Sequence, residues 1–215
     1  MCGIYGFCGF DDDGLLGRMA RRIVHRGPDG TGEHAAPGLR MGMQRLAIID
    51  LAGGWQPVFN EDKSVAVINN GEIYNYLELR DELAAKGHVF RTQSDTECIA
   101  HGYEEWGLDC VKHFNGMFAF ALHDARTGDL FIARDRCGQK PFYYWKDAFG
   151  RLVFASEVKA ILECGHVPRA CNLAAIDPYL ALRVVPEPQT MFQDIFTLPA
   201  SHRMVRKADG SVRID

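Results

Sequence analysis

Position 2 of the chain is a cysteine, directly behind the initiator methionine. Initiator methionine is normally removed when the next side chain is small, which leaves Cys2 carrying the free α-amine. That amine has a reference pKa of about 7.7–8, against about 10.4 for lysine, so near pH 7 part of it is neutral and can accept a proton. The thiol of the same residue has a reference of about 8.5. One residue then supplies nucleophile and base together, without a histidine. Taken alone, a small buried cysteine that happens to come second is the commoner explanation.

A second signal is Asn70-Gly71. Asn-Gly between strands is a strong hairpin signal because both residues tolerate positive φ, and alone that explanation is favoured. A carboxamide beside an unhindered backbone N–H is also what an oxyanion hole requires, two donors converging where charge develops. Arg45 sits against the apolar run Leu46, Ala47, Ile48, Ile49. A guanidinium beside a buried strand needs an anionic partner, either an acid of the chain or the carboxylate of a ligand. Asp95 falls at an expected helix start, where the helix dipole alone would favour it. Arg45 and Asp95 facing one cleft would suit the two charges of a free amino acid. Glu72 would assist with the ammonium group or support its loop. Two Cys-x-x-His pairs, Cys98/His101 and Cys110/His113, have a spacing zinc can use. Both fall in helical stretches, where i and i+3 neighbours meet anyway, so no metal ligand is assigned.

The elements that must position these residues are legible in outline. Residues 2–10 read as a Gly-rich buried strand at the very terminus, where most chains are polar and frayed. Residues 24–32 read as a loop from their Gly, Pro and Asp content. Strand-like runs follow at 41–51 and 65–68. Asn75 with Glu78, then Ser94 with Glu97, read as capping boxes ahead of two helices, the first stopped by Gly87 and the second reaching about Trp106. Strand patterns return at 118–123, 130–133, 142–145 and 152–155, separated by glycine turns. Helix-like segments occupy 157–163 and 172–182. Strands, a helix pair and a further run of antiparallel strands predict an α+β sandwich. Residues 1–185 read as one domain, and 186–215, opening at Pro186 and Pro188, as a linker with terminal strands.

Composition narrows the partners. The chain has 215 residues, 47% hydrophobic and 24% charged, with a net charge of −4. These are globular values, and a chain of this size buries roughly 70% of its unfolded surface without staples. The acidic balance and lack of a basic run argue against nucleic acid and anionic membranes. No apolar run approaches the ~18 residues needed to span a bilayer, and no signal-peptide pattern is present. Seven cysteines, an odd and scattered set, read as reduced thiols of a cytoplasmic protein.

The runs MCGIYG (1–6), HRGPDG (25–30), RLAIIDL (45–51), NGEIYN (70–75) and SDTE (94–97), extended by NGMFAFA (115–121), ARDR (133–136), KPFYY (140–144) and FASE (154–157), resemble the class II glutamine amidotransferases. Within them the chain is most similar to the glutaminase half of glutamine-dependent asparagine synthetases, over almost its whole length. The resemblance implies a four-layer αββα sandwich of the N-terminal-nucleophile hydrolase type. It puts the nucleophile on Cys2, the glutamine-carboxylate contact on Arg45, and the pocket-lining backbone on Leu46, Ala47, Ile48 and Ile49. The oxyanion donors fall on Asn70 and Gly71, and the α-amino contacts on Glu72 and Asp95. Tyr76 departs from the histidine of many relatives, beyond the catalytic positions. The implied partners are L-glutamine and an acceptor (synthetase) domain in cis or in trans, with a homodimer admitted. No cofactor is implied for the glutaminase half.

Synthetases of this kind continue past a Leu-Pro-x-x-His segment, here Leu198 to His202, into a domain that uses ATP and magnesium. The chain stops at Asp215 without a Gly-rich phosphate loop, so that domain is expected to be absent. Three functions compete at this stage. One is glutamine hydrolysis in an asparagine-synthetase or other class II amidotransferase. The second is another amidohydrolase of the same fold, and the third a non-catalytic glutamine-sensing module.

Overall fold

The computed structural model describes residues 1–215. In chain order the elements are β1 (Gly3–Cys8), α1 (Leu15–Ile23), β2 (Gly30–Ala36), β3 (Leu39–Arg45), β4 (Val58–Phe59), β5 (Val65–Ile73), α2 (Tyr76–Ala85), α3 (Glu97–Trp106), β6 (Gly116–Asp124), β7 (Asp129–Arg134), β8 (Tyr143–Lys146), β9 (Leu152–Ala155), α4 (Val158–Ile161), α5 (Ile176–Leu182), β10 (Ile195–Thr197), β11 (Arg203–Arg206) and β12 (Val212–Ile214). The strands form two six-stranded sheets, ordered β10-β8-β9-β1-β3-β2 and β12-β11-β7-β6-β5-β4. Every strand pairing is antiparallel.

Period-two alternation sorts the side chains of each central strand into two cores. In β1, Ile4 and Cys8 enter the core between the sheets, while Tyr5 and Phe7 pack with Leu15, Met19 and Ile23 of α1 on the outer face. In β6, Ala119 and Ala121 face the other sheet, and Phe118, Phe120 and Leu122 meet Leu79 and Leu83 of α2 and Ile99 of α3. Small residues inside and aromatic ones outside let the sheets approach while the helices fill the flanks. The result is four layers, α1/α4, sheet, sheet, α2/α3, as the family resemblance implies.

Four local features differ from the sequence expectations. Asn70 and Gly71 are not a hairpin turn: they lie inside β5, opposite Ala119 and Phe118 of β6. A Cβ on Gly71 would be driven into the Met117 carbonyl and the Phe118 backbone. Backbone cannot swing aside as a flexible side chain can. Gly71→Ala is therefore expected to cost about 1–3 kcal/mol or more of stability, read as a lowered urea midpoint; an unchanged midpoint would show that β5 can shift.

Both anticipated capping boxes are diverted. Asn75 Nδ2 donates to the His113 carbonyl (3.0 Å) and its Oδ1 accepts from Asn115 N–H (2.9 Å), so it ties α2 to the strand β6 entry and makes no cap bond. The Glu97 carboxylate accepts from the backbone of Arg91 (2.7 Å) and Thr92 (2.8 Å). Third, residues 46–49 leave the ladder after β3 and run as loop, while β2, expected as loop, is an edge strand that is half exposed along its length. Its glycines and alternating exposure carry no apolar stripe to mark it. Finally, the terminal strands within 186–215 join the sandwich. β10 pairs with β8 and β11 with β7, because Leu198 and Met204 deliver apolar side chains to the inter-sheet core.

Candidate active site

Cys2 directly precedes β1, a strand flanked on both sides by β3 and β9. Its backbone is clamped. Arg26 Nε donates to the Cys2 carbonyl (3.0 Å), and Arg26 Nη1 pairs with Glu157 Oε1 (3.0 Å), which also meets His25 Nε2 (2.9 Å). Burial pushes the Glu157 carboxyl up, but hydrogen bonds from Lys159, Arg26 and His25 outweigh it and hold the group at about 2. The Cys2 thiol is half-buried, with Sγ 3.4 Å from Leu46 N and 3.5 Å from Leu46 O. By contrast, burial pushes the Cys8, Cys98 and Cys110 thiols to about 12 and raises that of Cys164, which makes them poor nucleophiles near neutral pH.

Arg45, at the end of β3, is 3% exposed. Its guanidinium donates to the carbonyls of Asp50 (2.6 Å) and Leu51 (3.1 Å) and lies over the Trp55 ring, 4.9 Å from the centroid. Loop 46–57 thus wraps the cation with neutral dipoles and an aromatic face and gives it no carboxylate. Asp50 holds that loop in place: its carboxylate accepts from Gly53 N–H and Gln93 N–H, both at 2.8 Å. Asp29, from the 25–30 run, accepts from Ala47 N–H (2.8 Å).

The free edge of β5 supplies donors. Phe118, opposite Gly71, spends both its N–H and its C=O on Asp135, so the Gly71 backbone groups face the other way, toward the edge β4 has already left. On that edge Asn69 N–H is taken by Gln56 Oε1 (2.6 Å) and Ile73 N–H by Asp95 Oδ2 (2.8 Å). Gly71 N–H lies between the two. The Asn70 side chain is 1% exposed, and its amide nitrogen has no hydrogen-bond partner. A buried donor left unpaired costs about 1–3 kcal/mol, so an arrangement that retains one calls for an acceptor. Asp95 is held above the ordinary carboxylate range by burial first and by the Glu72 charge beside it, against the pull of the Ile73 N–H bond.

These residues share one cleft of about 490 Å³, its open mouth included, lined by Cys2, Arg45, Leu46, Ile48, Ile49, Asn70, Gly71, Glu72 and Asp95. Ala47 is outside the lining and acts through its bond to Asp29. Gln56, Thr96 and Lys140 line the cleft unannounced, as does Met1, whose sulfur is 3.3 Å from Lys140 Nζ. Lys140 falls in the run 140–144, but a lone lysine has no spacing that assigns it a role. The Cys-x-x-His pairs do not converge. Cys98 donates to the Tyr76 carbonyl, and the His113 ring stacks on Trp106 at 3.9 Å.

An αββα sandwich whose cleft opens on a thiol just ahead of a central strand defines an N-terminal-nucleophile type of amidotransferase fold. The chain matches the glutamine amidotransferase domain over residues 1–213 and belongs to that family. It is 38% identical to asparagine synthetase (glutamine-hydrolysing) 3 of Bacillus subtilis, over 98% of this chain and 35% of that protein. It is 46% identical to asparagine synthetase 2 of Oryza sativa, over 75% of this chain and 28% of that protein. The chain thus spans about a third of the length of these relatives. Among solved structures, the glutamine phosphoribosylpyrophosphate amidotransferase of B. subtilis superposes with TM-score 0.70 at 17% identity, covering all of this chain and 49% of that one. No helix is long and apolar enough to cross a membrane.

Proposed function

We propose that this domain hydrolyses the side-chain amide of L-glutamine to glutamate and ammonia through a Cys2 thioester. The observation that carries the reading is the cleft that the Cys2 thiol shares with an unpartnered Asn70 amide nitrogen and an Arg45 without an acid partner. With Met1 removed, the Cys2 α-amine takes the thiol proton and Sγ attacks the amide carbon. The oxyanion accepts from Asn70 Nδ2–H and Gly71 N–H. Collapse of the tetrahedral intermediate breaks the C–N bond, and the ammonium of Cys2 returns the proton so that ammonia leaves. Water, deprotonated by the same amine, opens the thioester and releases glutamate.

Arg45 takes the substrate carboxylate as a planar fork, and Asp95 with Glu72 takes the ammonium. The high identity to glutamine-hydrolysing asparagine synthetases supports a role as the ammonia-supplying half of such an enzyme. In that assembly ATP and magnesium serve the acceptor domain, and the glutaminase half needs no cofactor. The reduced, scattered cysteines support a cytoplasmic setting, and the reading admits a homodimer.

Asp95→Asn keeps an oxygen for the Ile73 N–H and removes the charge. Glutamate release at sub-saturating glutamine should then fall about 10–100-fold in kcat/KM, the worth of one hydrogen bond to a charged group, with kcat changed less. In the wild type the ammonium needs the carboxylate form. The raised Asp95 pKa therefore predicts that kcat/KM falls on acidification earlier than for an ordinary carboxylate, and that Asp95→Asn removes this acid limb. A variant with wild-type kcat/KM and an unchanged pH profile would sink the assignment.

A further inference from the structure

A second convergence of ligating side chains lies outside the cleft, beneath α3. Glu61 comes from the connection between β4 and β5, His88 from the segment after α2, and His101 and Glu104 from α3. One ligating atom of each lies within 4.8 Å of all the others. His88 Nδ1 is 3.3 Å from Glu61 Oε1 and 3.8 Å from Glu104 Oε2. His101 Nδ1 is 3.5 Å from Glu61 Oε2 and 3.5 Å from Glu104 Oε2. Zinc bonds of roughly 2.0–2.2 Å at tetrahedral angles place neighbouring ligand atoms about 3.3–3.6 Å apart. The histidine–glutamate separations of 3.3 to 3.8 Å are close to that spacing, and the whole set fits within 4.8 Å.

The hydrogen bonding points to the same centre. His101 is fully buried, and neither of its ring nitrogens has a hydrogen-bond partner. Glu104 Oε2 is buried and unpartnered as well, although its other oxygen accepts from Asn60 Nδ2 (2.7 Å). Of these atoms His101 Nδ1 and Glu104 Oε2 face each other at 3.5 Å, and native interiors seldom leave two such groups unpaired at one point. Behind each ring stands a further carboxylate: Glu97 Oε1 is 3.6 Å from His101 Nε2, and Glu105 Oε2 is 3.9 Å from His88 Nε2. Carboxylates placed this way orient imidazoles that ligate metal through the opposite nitrogen. Two neutral imidazoles and two carboxylates also balance a dication.

We propose that Glu61, His88, His101 and Glu104 bind one zinc ion as a closed structural site. The ion would clasp the β4–β5 connection and the α2–α3 segment to α3, the helix whose approach carries Asp95 into the cleft wall. None of the four ligands lines the cleft, so the site stands independently of the proposed hydrolysis. It revises the expectation of no metal, which weighed only the Cys-x-x-His pairs; these ligands come from three separate segments and have no spacing signature.

The test uses the whole chain in a Cys2→Ser background, which removes the cleft thiol as a competing ligand. The protein is equilibrated with zinc, dialysed against metal-free buffer, and analysed for metal content and thermal midpoint. About one zinc per chain should be retained, with a raised midpoint. His88→Ala and Glu61→Gln, both at the more exposed side of the cluster, should weaken zinc affinity about 100-fold or more and abolish the zinc-dependent shift, while circular dichroism shows them folded. Cobalt(II) should give the intense visible bands of a tetrahedral site in the parent and not in the variants. No zinc retained above buffer level by the parent, or zinc affinity in the two variants equal to the parent's, would overturn the proposal.

Discussion

A preparation that retains Met1, or carries one added residue ahead of Cys2, should lose glutaminase activity by about 10²–10⁴-fold, the usual contribution of a positioned general base. Chain extension converts the Cys2 amine into a non-basic amide. The extra residue also stays in the cleft, where Met1 now contacts Lys140 and takes up space beside Sγ. The fold should be unchanged, because β1 is secured downstream of Cys2 by its pairing with β3 and β9 and by the Arg26 bond to the Cys2 carbonyl. Mass spectrometry of active protein should show Met1 absent. A glutamine-mimicking electrophile should label Cys2 and none of the other six cysteines. Four of those are buried with raised thiol pKa values, and Cys137 and Cys171 are exposed but lie outside the cleft. Full activity from protein shown by mass to keep Met1 would falsify the mechanism and require another base. His25, the nearest histidine along the chain, already spends Nε2 on Glu157.

Asn70→Ala should lower kcat by about 10²–10³-fold, or about 3–4 kcal/mol, as removal of one oxyanion donor does elsewhere. The position of Asn70 sharpens this expectation. Inside β5 its backbone pairing with Ala119 does not depend on the side chain, and the amide nitrogen it would lose has no partner in the folded protein. Stability should therefore change little, by about 1 kcal/mol or less, since deleting an unpaired buried donor also removes its desolvation cost. KM should move less than kcat if the donor acts mainly on the intermediate. A variant with full kcat would leave Asn70 a strand residue with no part in the chemistry.

Much of the candidate site was legible in the sequence, for identifiable reasons. A cysteine in second place, a carboxamide followed by glycine, and a guanidinium beside an apolar run each have a commoner structural explanation alone, and their joint order with the family resemblance is what gives them chemistry. The paired periodicities of β6 to β9 were equally plain, because strands covered on both faces must be apolar at nearly every position. The helix end at Gly87 followed from the glycine, and the reach of the next helix to about Trp106 matches α3. What the sequence misassigned were groups whose local and distant partners compete. Asn75 and Glu97 carry good local caps, yet their side chains bond to residues 113–115 and 91–92 once the layers are packed. Asn70-Gly71 has the local chemistry of a turn, but pairing of β5 with β6 along nine residues outweighs it, and the glycine is needed for close backbone approach.

Tertiary structure alone decided the rest. Only the sandwich shows that Arg45 receives carbonyls and Trp55 in place of a carboxylate, and that Gly71 N–H stands free between two occupied neighbours on the β5 edge. Only it brings Glu61, His88, His101 and Glu104 to one point. Sequence determines which chemical groups are present and which faces must be buried. Whether two groups dozens of residues apart share a cleft depends on strand order and register, which are set by how two sheets and their helices bury their apolar faces together.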